Sequence, residues 1–290
     1  MNVAFYPGCS HHGLAQEYDH TSRLICSHLA VNLTEVEDWN CCGATAAHSL
    51  DHDLSLALNV RNLAQVKRGG HDSVVTPCSG CFSRLKTAAH EIRHDPDRLA
   101  EISRKLECPL PENVEVRHLL QLIVEEYSLD RIRALVKKPL CGLKAAAYYG
   151  CLLTRPAAVT RFDDPEQPRS MDNLLQALGA EPVTWSYKAE CCGGGFNASE
   201  PVIALELGQA ILDSAKNAGA EAIIAACPLC QMNLDGRQGE MTPPFGGKYD
   251  IPVVYFTQLM GLAFGYAWRE LRFKKLIVNP RKLLEKYCLL

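Results

Sequence analysis

Short apolar segments alternate with longer amphipathic segments along the chain. Residues 2–7 (NVAFYP) and 144–150 (KAAAYYG) each predict a buried β-strand. Residues 51–68 and 200–217 place apolar side chains every three or four positions, which predicts amphipathic helices. Strands that alternate with helices of this length indicate crossover connections and a mostly parallel sheet.

The whole pattern occurs twice. In each half a second strand is predicted, over residues 30–38 and 180–187, and a third strand precedes a CxxC motif, in DSVVTPCSGC and AIIAACPLC. A fourth strand and an apolar helix close each half, in VEVRHLLQLIVEEY and IPVVYFTQLMGLAF. We therefore predict an α/β fold of two pseudo-symmetric repeats, each a small, mostly parallel sheet flanked by helices. The expected domains are 1–135 and 144–290, joined by the Pro- and charge-rich link at 135–144.

Composition excludes several classes of function. The 290 residues are 47% hydrophobic and 22% charged, as in ordinary globular proteins. The net charge is −3 with Lys and Arg scattered, so no basic stripe for nucleic acid is present. The charge-free segment 251–268 is shorter than the roughly 20 apolar residues of a spanning helix and predicts a buried strand and helix. The N-terminus has no secretory signal pattern, so we expect a cytoplasmic protein in a reducing compartment.

Fourteen cysteines are the most unusual feature of the composition. Ten of them repeat in matching order as a single Cys, a Cys-Cys-Gly and a CxxC, with 31, 35 and 2 intervening residues in the first half and 39, 34 and 2 in the second. The first group is Cys9, Cys41, Cys42, Cys78 and Cys81, and the second group is Cys151, Cys191, Cys192, Cys227 and Cys230. Cys26, Cys108, Cys141 and Cys288 lie outside the repeat and are expected to be ordinary buried or free thiols.

Every repeated cysteine follows the carboxyl end of a predicted strand. Ligands bind at this edge of open parallel sheets, and the helix N-termini that gather there favour anions such as thiolates. We therefore expect the five thiols of each half to converge on one ligand site.

Three kinds of centre are compatible with such a group. A structural zinc site uses four ligands, whereas each half offers five. Adjacent cysteines reach one site only through a turn, which Gly43 and Gly193 permit, or when the centre is large. A four-iron cube needs four thiolates, so the fifth indicates a spare thiol or an unusual cluster. A metal-free dithiol would use the CxxC motifs alone and leave the other three cysteines of each half without a role.

The segments YPGC, EVEDWNCCGA, TPCSGCF, YYGCLLTRP, CCGGGF, CPLCQMNLD and VYFTQL resemble the duplicated CCG cysteine-rich domain family, in particular the B-type subunits of heterodisulfide reductases. The resemblance extends over essentially the whole chain. It implies two non-cubane [4Fe–4S] clusters, one held by each group of five cysteines, and a disulfide bound in a cavity between the halves. It also implies a ferredoxin-like iron–sulfur subunit and a flavin-containing subunit as partners. From the charge pattern and the length of segment 251–268, we expect no nucleic-acid partner and no transmembrane segment.

On this resemblance the expected activity is reversible cleavage or formation of a disulfide, with Cys9 and Cys151 at the reacting centres. A bacterial sulfur-oxidation version of the family would act on persulfides instead. A second alternative is the electron-transfer CCG subunit of a flavin-linked dehydrogenase or succinate:quinone reductase, which relays electrons without binding a disulfide. A third is a purely structural metal scaffold, which would not explain the duplication at a ligand-binding edge.

Four further residues are candidates for the chemistry around the clusters. His11, His12 and His48 follow cysteines of the first group and could protonate a departing thiolate. Arg155 follows Cys151 and could bind an anionic substrate tail. For the histidines the alternative is a surface or capping role, and for Arg155 it is a structural ion pair.

Overall fold

The computed structural model describes residues 1–109, 111–242 and 248–290. It contains two four-stranded sheets, with strand orders β2-β1-β3-β4 and β6-β5-β7-β8, in which neighbouring strands are parallel. The strands are β1 Asn2–Phe5, β2 Asn32–Glu35, β3 Ser73–Thr76, β4 Glu115–His118, β5 Lys144–Tyr148, β6 Glu181–Pro182, β7 Ala222–Ala225 and β8 Val253–Tyr255. The predicted α/β fold with two pseudo-symmetric sheets is confirmed.

Helices cover the faces of both sheets. The helices of the first half are α1 Cys9–His12, α2 Gln16–His28, α3 Ala46–Leu50, α4 His52–Arg68, α5 Ser79–His94, α6 Pro96–Lys105, α7 Leu119–Glu126 and α8 Leu129–Leu135. Those of the second half are α9 Cys151–Thr154, α10 Ala157–Thr160, α11 Ser170–Ala177, α12 Pro201–Asn217, α13 Pro228–Gly236, α14 Phe256–Ala263 and α15 Arg281–Lys286. The two long amphipathic helices predicted from periodicity therefore form, as α4 and α12.

The second strand of the second half is shorter than its sequence pattern predicts. The pattern predicts a strand over residues 180–187, but only Glu181–Pro182 pairs with β5. The N–H groups of Glu181 and Val183, on either side of Pro182, donate to the carbonyls of Leu143 and Ala145 at 2.8 and 2.9 Å, and the paired segment ends there. Beyond it the Trp185 indole donates to the Ala147 carbonyl at 3.1 Å, the Tyr149 N–H donates to the Lys188 carbonyl at 2.8 Å, and the buried Lys188 ammonium pairs with Asp172 at 2.9 Å.

The two halves pack against each other through helices of both. Helix α2 contacts α14, α1 contacts α13, and α5 contacts α9 and α10. At the α2–α14 contact, the Tyr18 and Tyr255 rings stack at 3.9 Å and the Thr21 and Thr257 hydroxyls are 2.8 Å apart. This arrangement turns the carboxyl ends of the two sheets toward each other.

The apolar segment 251–268 supplies β8 and α14, and every residue from Ile251 to Phe264 is buried. The prediction of a buried strand and helix is confirmed. Within the described ranges, none of the helices combines the length and the apolar character needed to cross a bilayer.

Candidate metal centre

The repeated cysteines lie at the carboxyl ends of the strands, as predicted. Cys9 and Cys151 begin the short helices that follow β1 and β5, and Cys78 and Cys227 cap the N-termini of α5 and α13 after β3 and β7. Because β1 neighbours β3 and β5 neighbours β7, each single cysteine is brought beside its own CxxC motif. This is the edge of the sheet where open α/β folds bind ligands.

The five thiols of the first group form one cluster. The Cys42 and Cys81 sulfurs are 3.3 Å apart, and the Cys9 and Cys41 sulfurs are 3.8 Å apart. Cys78 lies within hydrogen-bonding reach of Cys81. Thiols separated by up to 72 positions in the chain thus become neighbours.

The second group repeats this geometry. The Cys192 and Cys230 sulfurs are 3.4 Å apart, and hydrogen-bonding contacts join Cys151 to Cys191 and Cys227 to Cys230. Backbone N–H groups that follow the cysteine pair point at the sulfurs: Gly193 N is 3.4 Å from the Cys191 sulfur, and Gly194 N is 3.2 Å from the Cys192 sulfur. Such donors stabilise thiolates and reduced sulfur ligands.

Each group favours a thiolate at an equivalent position. Contacts with the Cys42 and Cys9 thiols lower the pKa of Cys41 to about 2, and contact with the Cys151 thiol lowers the pKa of Cys191 to about 6. Conversely, donation to Cys41 raises the pKa of Cys42 to about 12. The thiols therefore share their protons in a network, which a metal centre would displace on binding.

Glycines leave room beside the sulfurs. A Cβ at Gly8 would lie 2.8 Å from the Cys81 sulfur, and one at Gly150 would lie 3.1 Å from the Cys230 sulfur. Both glycines have positive φ, at 74° and 70°. Gly43 and Gly193, which follow the cysteine pairs, also have positive φ, so the predicted turns are confirmed.

Buried polar side chains fix the loops that carry the cysteine pairs. The hydroxyls of Tyr6 and Tyr148 donate to the carbonyls of Asn40 and Glu190, which directly precede the pairs, at 2.6 and 2.7 Å. The amides of Asn59 and Asn233 donate to the carbonyls of Cys42 and Cys192 at 2.9 and 2.6 Å. The tyrosines stand three residues before each single cysteine, so the repeat itself marks them. The asparagines occupy unequal spacings, and no sequence signal identifies them.

The two groups meet at the interface between the halves. Cys78 of the first group and Cys227 of the second are neighbours: Cys227 raises the pKa of Cys78, and Cys230 and Cys78 lower the pKa of Cys227. The carbonyl of Ala226, next to Cys227, is 3.2 Å from the Tyr18 hydroxyl and 3.1 Å from the His118 Nε2, both from the first half. Sequence spacing within each half does not predict this contact.

The donor set fits an iron–sulfur centre in each half. Five soft thiolate donors, glycine-lined space beside the sulfurs and backbone N–H donors are the features that iron–sulfur ligation uses. Among the described residues, no group of three or more Cys, His, Asp or Glu side chains could hold a metal ion as they stand. The assignment therefore depends on donor chemistry rather than on a preformed cage of ligands.

The three candidate histidines have different surroundings. His11 is 2% exposed, neither ring nitrogen has a hydrogen-bond partner among the described residues, and burial lowers its pKa to about 3. His12 is exposed and pairs with Glu35 at 3.1 Å. His48 is exposed, and its Nδ1 lies 2.7 Å from the Arg84 guanidinium. Of the three, only His11 lies in the buried region between the cysteine groups.

Arg155 is half-buried in a network of its own loop. Its guanidinium pairs with Glu166 at 3.0 Å and with Glu190 at 3.8 Å, and its Nε donates to the Pro165 carbonyl. These contacts are those of a structural ion pair. Outside the two groups, Cys26 is buried, Cys108 is half-buried, and Cys141 and Cys288 are exposed.

A cleft of about 620 Å³ opens beside Cys9 between the two halves. Leu14 and Glu17 of the first half line one side, and Leu229 and Met232 of α13 line the other. The volume is within the usual range for small-molecule sites. The sequence motifs predict a cavity between the halves through the family resemblance, but they do not identify these lining residues.

Comparison with known proteins agrees with the cysteine repeat. The CCG cysteine-rich domain model matches residues 3–86 and 145–235. The chain is 33% identical to the 8-methylmenaquinol:fumarate reductase membrane anchor subunit of Wolinella succinogenes, over 97% of this chain and 98% of that protein. It is 30% identical to the B-type subunit of the ferredoxin/F(420)H(2)-dependent CoB-CoM heterodisulfide reductase of Methanosarcina acetivorans, over 98% of this chain and 96% of that protein.

A solved structure shares the fold. The crystal structure of a hypothetical protein from Helicobacter pylori aligns with a TM-score of 0.74 at 12% identity, over 96% of this chain and 52% of that one. The family resemblance inferred from the motifs is confirmed: the chain belongs to the CCG cysteine-rich domain family and carries the domain in duplicate.

Proposed function

We propose that the chain is the catalytic iron–sulfur subunit of a heterodisulfide reductase-like complex. It would cleave or form a disulfide, or a persulfide, between two non-cubane [4Fe–4S] clusters. The observation that carries the proposal is the convergence of two five-cysteine groups at Cys78 and Cys227, with Cys9 lining an open cleft between the halves.

The relatives support the class of protein. Several curated relatives are named as heterodisulfide reductase or fumarate reductase subunits, which supports an iron–sulfur CCG subunit of a reductase complex. The ferredoxin-like and flavin-containing partner subunits belong to the proposal, since the chain has no flavin motif and would need an external electron donor. A reducing compartment such as the cytoplasm also belongs to it, because free thiols must be available to bind iron.

Reduction of a disulfide consumes two electrons and releases two thiolates. When bound, the clusters would supply the electrons and soft iron sites for sulfur. The chain itself would hold each centre through five thiolates, Cys9, Cys41, Cys42, Cys78 and Cys81 in one half and Cys151, Cys191, Cys192, Cys227 and Cys230 in the other. The cleft walls would orient the disulfide and exclude water from it.

Replacing Cys9 or Cys151 with Ala tests the proposal. We expect anaerobically reconstituted wild-type protein to be brown, to hold about eight irons per chain, and to reduce small disulfides with reduced viologen as donor. Each variant should lose turnover because one of the two centres is incomplete. Cys288→Ala removes an exposed thiol outside both groups and should retain iron and activity. Full iron and full turnover in both variants would refute the two-cluster mechanism.

A second function is favoured by the Wolinella succinogenes relative. Its name places that protein in a fumarate reductase, and the identity covers almost the whole chain. On this alternative the chain would relay electrons to or from a flavin-linked subunit, and the adjoining cysteine groups would form a short buried path. The isolated iron-loaded chain would then show two redox centres by spectroscopic titration but no viologen-linked disulfide reduction.

A further inference from the structure

The cleft beside Cys9 has a definite chemical character. Apolar side chains of α13, Leu229 and Met232, form one wall, and Leu14 stands at the opposite rim. The ring of Tyr255 closes the base and is fully buried. An alkyl chain of a few carbons would bury apolar surface here while its sulfur remained near Cys9.

The inner wall carries a buried glutamate. Glu17, on α2, is 4% exposed and lines the cleft. Its carboxylate forms no ion pair and no hydrogen bond to another residue in the part of the chain that the structure describes. Burial raises its pKa, although the charges of Lys275 and Arg272 oppose this. The backbone N–H of Glu17 itself donates to this carboxylate, and the remaining acceptor positions of the carboxylate can accept from a ligand in the cleft.

The other charged side chains in the cleft either have hydrogen-bond partners within the protein or are exposed to solvent. Asp235 is buried, but its carboxylate accepts the backbone N–H groups of Ile277 at 2.7 Å and Val278 at 3.3 Å. Lys275 is exposed at the rim, where water and salt screen its charge. When ionised, the buried carboxylate of Glu17 is screened least by solvent and therefore has the largest effect on selection inside the cleft.

On the basis of the disulfide chemistry proposed above, we propose that this cleft binds a thiol or disulfide whose short apolar arm ends in an amine or another hydrogen-bond donor. The arm lies along Leu229 and Met232, and its terminal group meets Glu17. Substrates that end in a carboxylate, sulfonate or phosphate are disfavoured, because their negative charge would face the carboxylates of Glu17 and Asp235.

Two matched pairs of probes test the charge selectivity. The first pair is redox-inert: binding of bis(2-aminoethyl) sulfide, a dication, and 3,3′-thiodipropionate, a dianion, is measured by calorimetry on the iron-loaded protein. The second pair is reactive: cystamine and 3,3′-dithiodipropionate are each reduced to two thiols, with reduced viologen supplying the two electrons. We expect the dication to be preferred about tenfold or more in affinity and in kcat/KM, the effect of one poorly screened charge.

Glu17→Gln should abolish most of this preference, because it removes the carboxylate charge that separates the dication from the dianion. Glu206→Gln, which removes an exposed carboxylate on α12, should leave the preference intact. Equal binding of the two thioethers, a preference for the dianion, or an unchanged preference in Glu17→Gln would overturn the proposal. The comparison of dication and dianion on the wild-type protein needs no variant, so it tests the charge selectivity even if Glu17→Gln fails to load iron.

The two proposals fail in different ways. If the thioethers bind with the expected selectivity but no disulfide is reduced, the cleft is a binding site of the stated kind and the proposed reductase activity is wrong. If disulfides are reduced without charge preference, the activity stands and the selectivity is wrong.

Discussion

Gly8 and Gly150 occupy equivalent places in the two repeats, and each faces a cysteine sulfur of its own group. Their φ and ψ angles, 74° and 164° for Gly8 and 70° and 177° for Gly150, lie in a region that essentially only glycine adopts. A side chain here would also press on Cys81 or Cys230. One residue type thus meets two requirements, a backbone conformation and open space beside the sulfur.

Gly8→Ala should therefore impair loading of the first group while the second group still binds its centre. We expect the iron content to fall by about half, since the new Cβ would meet the Cys81 sulfur at 2.8 Å. Iron analysis after anaerobic reconstitution, with the spectrum of the remaining centre, measures this. Gly70→Ala is the control, because Gly70 also has positive φ, 77°, but has open space around its Cβ position. Equal iron content in both variants would contradict a role for the space beside Cys81.

At the scale of elements, the end of β4 connects the two repeats. His118 is the last residue of β4 and caps α7: its Nδ1 accepts the Leu120 N–H at 3.1 Å, and its Nε2–H donates to the Ala226 carbonyl at 3.1 Å. Together the two bonds require the neutral ring with its proton on Nε2, because a protonated Nδ1 could not accept the Leu120 N–H. Burial lowers the pKa of His118 to about 4.

This lowered pKa makes stability depend on pH with a definite sign. The folded state resists protonating His118, so its contribution is complete above the ordinary pKa of 6.5 and is lost as the pH falls from 6.5 toward 4. His118→Gln keeps a donor and an acceptor but does not titrate. Between pH 7 and pH 4 the wild type should lose on the order of 3 kcal/mol more unfolding free energy than the variant. Urea unfolding across this range measures the difference, and parallel pH profiles would show that His118 does not titrate as stated.

Elements with a strong periodic pattern can be predicted from the sequence, and contacts between distant segments cannot. The helices at 51–68 and 200–217 follow from their apolar spacing, and the cysteine positions follow from the repeat. The pattern at 180–187 predicts too long a strand, because Trp185 and Lys188 bond to partners that local sequence does not reveal. The sequence pattern misses Glu17 for the same reason: a single glutamate on a helix carries no signal until α13 faces it.

At the scale of the whole molecule, the α2–α14 contact holds the two repeats in register. Thr21 and Thr257 are fully buried there, and their hydroxyls are 2.8 Å apart. The Thr21 hydroxyl can donate to the Glu17 carbonyl at 2.9 Å, which leaves the Thr257 hydroxyl to donate to Thr21. Because the bonds run from Thr257 to Thr21 and from Thr21 to Glu17, removing the Thr21 hydroxyl and removing the Thr257 hydroxyl should cost different amounts of unfolding free energy.

The inequality predicts the outcome of a double-mutant cycle. Thr21→Val leaves the Thr257 donor buried without a partner and should cost about 1–3 kcal/mol, whereas Thr257→Val removes only a donor and should cost about 0.5–1.5 kcal/mol. The double variant removes both groups, so its cost should be smaller than the sum of the two single costs by on the order of 1 kcal/mol.

Thr160, buried within the second half, is the control: the free-energy costs of Thr21→Val and Thr160→Val should be additive. Additive effects for Thr21 and Thr257 in urea unfolding would mean that the hydroxyl pair does not couple the halves.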